Sequence, residues 1–215
     1  MAGRAGDFEV VLTYRKFLEG AAQRGEAVNT MFEERMFGLV ESMQRITDAL
    51  DASQIPYEVI GGLAVLIHVE EANPEYSALT RDVDLMVRRE DLERVKQAAA
   101  GHGFRFRHAA GVDMLIYSAS DHAKDAIHLV FANEKVRPDY LSATPVLRPD
   151  RKRILGKDVL VIPVADLVRM KLTSFRLKDQ VHVKALESAG LVTREVEAEL
   201  PPELIARLQQ TRLTE

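Results

Sequence analysis

Apolar residues recur along the chain in two rhythms, and the switches between them lay out the elements. Phe32, Met36, Leu39, Met43, Ile46 and Leu50 are spaced three and four apart, the stripe of an amphipathic helix whose methionines are core packing. No proline precedes Pro56 and the first 55 residues show no alternation, so the N-terminal quarter reads as helical. "SQIPYEVIGG" ends that helix, opens a strand at Tyr57 to Ile60 and stops at Gly61-Gly62, which lead into a short helix, "LAVLIHV". After a polar loop from Glu70 to Leu79, Val83, Leu85 and Val87 alternate with Asp82, Asp84 and Met86 at the period of a strand. Both carboxylates then share one face.

"REDLERVKQAAAGHG" predicts a helix that starts near Glu90 and Asp91 and ends at Gly101 or Gly103. "FRFRHAAGVDMLIYSAS" and "DAIHLVFAN" predict strands separated by a turn at "DHAKD", and "KDVLVIPV" predicts one more. From Val164 the pattern is helical in three stretches, "ADLVRMKLTSFRLKD", "QVHVKALESAG" and "PPELIARLQQ". The expectation is an α/β (α+β) fold. A mixed sheet with flanking helices occupies residues 56–163, between an N-terminal helical segment, 1–55, and C-terminal helices, 164–215.

With 215 residues and 47% hydrophobic content, the chain can bury a substantial core. No run approaches the roughly 18 apolar residues that span a bilayer, and "MAGRAGDFEV" lacks the apolar stretch of a secretory signal, so the expected location is cytoplasmic, with no membrane partner. The absence of cysteine excludes disulfides and thiolate metal sites. A metal would have to be held by oxygen or imidazole, which favours magnesium or manganese. The net charge is -4, yet between Arg148 and Lys184 ten Lys or Arg face four Asp, a local +6 that leaves -10 for the remainder. Such a segment suits a phosphate-bearing partner, and it equally suits an ordinary solvated face.

Two carboxylates side by side repel, and a divalent cation between them is the simplest relief. "IGGLAVLIH" followed by "TRDVDLMV" resembles the nucleotidyltransferase superfamily of the DNA polymerase beta type, in particular the small bacterial members related to AbiEii toxins and the minimal nucleotidyltransferases. The resemblance covers roughly residues 57–192 and includes "LVRMKLTSFRLKDQVHVKAL". It implies that Gly61, Gly62 and Thr80 lie against nucleotide phosphates and that Asp82 and Asp84 bind Mg2+ (or Mn2+). It also implies an activity, transfer of an NMP group from an NTP to a hydroxyl of an acceptor left open among RNA, protein and small molecules. The chemistry asks for such residues: two metals about 4 Å apart stabilise the attacking and leaving oxygens, and glycines at a helix start admit a phosphate to the backbone. Twenty residues separate Gly62 from Asp82, an excess assigned to the loop at Glu70 to Leu79.

Active relatives carry a third carboxylate on a later strand. In "AIHLVFANEKVRPDY", Ile127, Leu129 and Phe131 face the core, which puts His128 at that position. Imidazole is a poor magnesium ligand but a suitable base, and two neighbouring anions should raise its pKa above the free value of ~6.5. Asp113 and Asp125 are nearby in sequence without the required register. Lys171, Ser174 and Lys178, spaced three and four apart, are expected to share one helical face and meet a triphosphate, with Asp179 in a local ion pair to Arg176 or Lys178. His68, His102, His108 and His122 show no ligand spacing and read as ordinary. The alternative to an enzyme is a catalytically degenerate module of the same fold, such as a partner in a toxin-antitoxin pair, and a metal-dependent glycosyltransferase is a third reading of Asp-x-Asp.

Overall fold

The computed structural model describes residues 37–76, 80, 82–118 and 126–213. The chain divides into two compact units, Met1–Val40 and Glu41–Glu215. Of the first, residues 37–40 are described and are helical; Phe32 and Met36 of the expected stripe, His122, Asp125 and the turn "DHAKD" lie outside the described residues.

The second unit begins with helix α1, residues 41–52, whose Met43, Ile46 and Leu50 are fully buried. Strand β1, Tyr57–Ile60, runs directly into helix α2, Gly61–Ala72. Strand β2, Val83–Val87, and helix α3, Leu92–Gly101, follow. Next come β3, Phe104–Ala109, β4, Val112–Tyr117, β5, Ile127–Phe131, β6, Asp150–Ile154, and β7, Lys157–Val161. Helices α4, Val164–Ser174, α5, Leu177–Ser188, α6, Arg194–Ala198, and α7, Pro202–Leu213, complete the unit. The strands form one mixed seven-stranded sheet in the order β3-β4-β5-β2-β1-β7-β6, with β1 and β7, and β2 and β5, parallel.

Cross-strand register sorts the side chains. Ile60 lies opposite Asp84 and Asp84 opposite His128, so these three share a face with Glu58 and Met86. Tyr57, Val59, Leu85, Ile127 and Leu129 point the other way into the core, and the Tyr57 hydroxyl reaches Asp51 of α1 at 3.3 Å. Helix α2 is buried on nearly every side, which accounts for its unbroken apolar sequence. His68 within it donates from Nε2 to the Ile162 carbonyl at 2.7 Å, a structural histidine.

Three expectations are corrected. The stretch read as one strand from Phe104 folds back on itself, because Ala110 and Gly111 both take left-handed backbone (φ 51 and 75) and close a β3–β4 hairpin. Strand β6 is an additional element: as a polar sheet edge, "DRKRI" carries no apolar alternation and blocks further pairing with its charges. The loop assigned to Glu70–Leu79 is in part an extension of α2 to Ala72 followed by a single 3-10 turn at Pro74–Tyr76.

Glu58, wholly buried, gives the fold a pH dependence. One carboxylate oxygen accepts the Arg148 N–H at 2.5 Å and the other has no partner among the described residues. Burial, opposed by that N–H, pushes the carboxyl up to about 7. Below its ordinary value of 4.5 both folded and unfolded chains hold the proton. As pH rises, the unfolded chain releases it first, so stability should fall by about 3 kcal/mol between there and pH just above 7. Urea unfolding at a series of pH values should show this slope, and Glu58→Gln should flatten it.

Candidate active site

A cleft of about 800 Å³ opens over the Asp84 face of the sheet. Its floor and walls bring together Gly61, Gly62, Thr80, Asp82, Asp84, His128, Lys171, Ser174 and Lys178, every residue singled out from the sequence.

The β1–α2 turn is shaped by its glycines. Gly61 has φ 73, and a Cβ there would overlap the Asp84 carboxylate, 2.9 Å from Cγ. A Cβ on Gly62 would stand 2.5 Å from Thr80 Oγ1 and 3.3 Å from His182 Cε1. At these two glycines no Cβ stands between the backbone that opens α2 and the carboxylate, and the N-cap residue, Ile60, supplies no side-chain cap. Gly61→Ala combines left-handed strain with that overlap and should cost about 2–3 kcal/mol in a thermal or urea melt. A melt unchanged from wild type would mean the turn is not held as described.

Asp84 stands in β2, whereas Asp82 lies just before the strand, and both line the cleft. The parallel β2–β5 register sets His128 beside Asp84, its Nδ1 donating to Oδ1 at 3.1 Å. That bond, with added attraction from both aspartates, raises the His128 pKa against the pull of burial. Asp113 is on the opposite face, opposite Leu129, and is paired with His108 and Arg89. It has no part in the cleft.

The cationic wall differs from the expected single helical face. Phe175 takes left-handed backbone (φ 50) and breaks the helix, so Lys171 and Ser174 end α4 while Lys178 begins α5. The sequence offers no glycine or proline to mark the break. Arg207 of α7 secures it, donating to the Leu172 and Thr173 carbonyls at 2.7 Å each and lying over the Phe175 ring. Asp179, fully buried, gathers the wall: it accepts from Arg176 Nε at 2.7 Å, Ser174 Oγ at 2.8 Å and Lys171 Nζ at 3.3 Å. Burial pulls the Asp179 pKa upward, but these donors hold it below the usual range. Lys171, nearly buried, is lowered by desolvation against the attraction of Asp179 and Asp84. Thus Lys171 and Ser174 are already engaged inside the protein. Much of the basic run at 148–184 is likewise spent on internal pairs, Arg148 with Asp166, Arg151 and Arg153 with Asp158, Lys152 with Glu71, and Lys157 with Asp48.

The donor set fits a hard divalent ion in one mode. Among the described residues no three carboxylate or histidine side chains form a closed metal cage. Two carboxylates open to a cleft match the way magnesium is held jointly by one or two protein oxygens and a phosphate-bearing ligand.

A scan against family models gives no match, and no curated protein matches the sequence as a relative. Among solved structures, the chain resembles an antigenic nucleotidyltransferase-like protein from Paracoccidioides brasiliensis, with a TM-score of 0.53 and 17% identity over 80% of this chain and 86% of that one. It also resembles the antibiotic-resistance factor ANT(2'')-Ia in solution, with a TM-score of 0.51 and 12% identity over 80% of this chain and 90% of the other. The fold is nucleotidyltransferase-like. The nucleotidyltransferase-like sheet is the setting in which β1, β2 and β5 bring the Gly-Gly turn, the aspartates and His128 to one face. Among the described residues no helix is long and apolar enough to cross a membrane.

Proposed function

We propose that the protein is a nucleotidyltransferase that moves an NMP group from an NTP to an acceptor hydroxyl. The observation that carries this reading is the convergence of the α2 N-terminus at Gly61-Gly62 with Asp82 and Asp84 in one cleft of a nucleotidyltransferase-like fold. Asp82 and Asp84 would hold Mg2+ or Mn2+, which when bound draws charge from the phosphate under attack. The Gly61-Gly62 turn admits the phosphates close to backbone N–H groups, with Thr80 beside it. Lys178 adds positive charge to the same cleft, and Lys171 and Ser174, tied to Asp179, fix the wall rather than reaching freely for ligand. His128, held by Asp84, is oriented to take the proton of the attacking hydroxyl through its second ring nitrogen once the Asp84 bond fixes the first. The acceptor is an RNA end, a protein or a small molecule.

Incubation with each labelled NTP, Mg2+ or Mn2+ and acceptors of the three classes tests the activity. Transfer that persists after Asp82→Asn combined with Asp84→Asn sinks the site assignment. His128 in place of a carboxylate favours a second reading, a binding module of the same fold such as one partner of a toxin-antitoxin pair. Calorimetry separates the two, because Mg2+-dependent NTP affinity in the micromolar range counts against a module without a site.

A further inference from the structure

His182 has no role in the site as described so far. It is borne by α5, exposes only 8% of its surface and lines the cleft wall. Its Cε1 stands 3.3 Å from where a side chain on Gly62 would begin, so the ring packs against the first turn of α2. Its Nδ1, bonded to that same carbon, is buried and has no hydrogen-bond partner among the described residues. A buried polar atom without a partner is uncommon in folded proteins, and this one belongs to a ring that borders both the cleft and the turn that opens α2. The turn it faces opens a 12-residue helix whose N-cap residue, Ile60, supplies no side-chain cap and whose first turn holds no acidic residue.

We propose that His182 is a phosphate-binding residue, donating a ring N–H to a phosphate oxygen of a nucleoside triphosphate seated at the Gly61-Gly62 turn. This rests on the nucleotidyltransferase reading above and extends it to the side chain that closes the phosphate subsite from the α5 side. The groups around the ring make it responsive to an anion. Burial pulls its pKa down to about 4, Lys171 of α4 with Lys178 and Arg176 at the start of α5 reinforce that, and Asp179 opposes it. In the free protein the imidazole is neutral at pH 7. A triphosphate offsets the three cations, so a second proton becomes easier to add and the affinity for phosphate should strengthen as pH falls.

The test titrates inorganic tripolyphosphate, and separately ATP with Mg2+, into the full chain. The ring Cε1–H resonance of His182 is followed by NMR, with His182→Gln supplying its assignment. The resonance should move and saturate together with binding, and His182→Gln should weaken tripolyphosphate binding about tenfold. The wild type should also gain affinity between about pH 7 and pH 5, more than the variant does. A resonance that stays put at saturation, or a variant that binds within about twofold of wild type, overturns the role of His182 while leaving the nucleotide site standing. If the wild type binds neither ATP nor tripolyphosphate, the nucleotidyltransferase reading falls, and this one with it. The NMR measurement uses the unaltered protein, so a variant that folds poorly does not protect the proposal.

Discussion

Asp84→Asn should lower nucleotidyl transfer about a thousandfold, roughly 4 kcal/mol of barrier, while the protein melts within a few degrees of wild type. The amide is isosteric and keeps an oxygen for the His128 Nδ1–H, so the β2–β5 contact survives. What disappears is the negative charge. Only the charge distinguishes a ligand for a divalent ion from a hydrogen-bond acceptor, and an amide oxygen is a much weaker ligand for magnesium. The same change withdraws the chief cause of the raised His128 pKa, so the ring should titrate nearer its ordinary value. Steady-state transfer, thermal melting and NMR titration of His128 check the three parts. Loss of transfer together with loss of folding would place Asp84 in the structural framework and not in the chemistry.

Asp179→Ala should be the most damaging single substitution to stability, about 3–5 kcal/mol by urea unfolding. The carboxylate is fully buried and is the shared acceptor for Lys171, Ser174 and Arg176. Without it the Lys171 ammonium is left nearly buried with no hydrogen-bonded counter-charge and only the attraction of Asp84, beside an Arg176 side chain that has lost its acceptor. Because the penalty belongs to the stranded charge, adding Lys171→Met should recover much of it. Equal damage in the single and double variants would show that Asp179 acts through the start of α5, where it also accepts the Arg176 N–H, and not through Lys171.

How much of this was legible in the sequence depends on whether the signal was local. Strand β1 could be read from the proline before it and the glycines after it, Asp82 and Asp84 from the alternation of Val83, Leu85 and Val87, and His128 could be placed because Ile127, Leu129 and Phe131 fix its register. The hairpin at Ala110 and the helix break at Phe175 could not. Both put a non-glycine residue into left-handed backbone, and at Phe175 the contacts that hold it come from Arg207, far along the chain. Strand β6 is polar because it lies at a sheet edge, a circumstance that its own residues do not announce. The sequence pointed to Asp179 only as the partner in a local ion pair and gave His182 no role, since what singles them out is Lys171 in the first case and Gly62 in the second.

The hold that Arg207 keeps on the Leu172 and Thr173 carbonyls bears on how the protein is made. On the ribosome, the Gly-Gly turn, both aspartates and His128 emerge well before α7, and the turn between α4 and α5 has no partner for those carbonyls until Arg207 follows. A nascent chain thus exposes its carboxylates before the wall facing them is fixed. Synthesis itself imposes an order in which the acidic half of the cleft is laid down first and its cationic half is locked last.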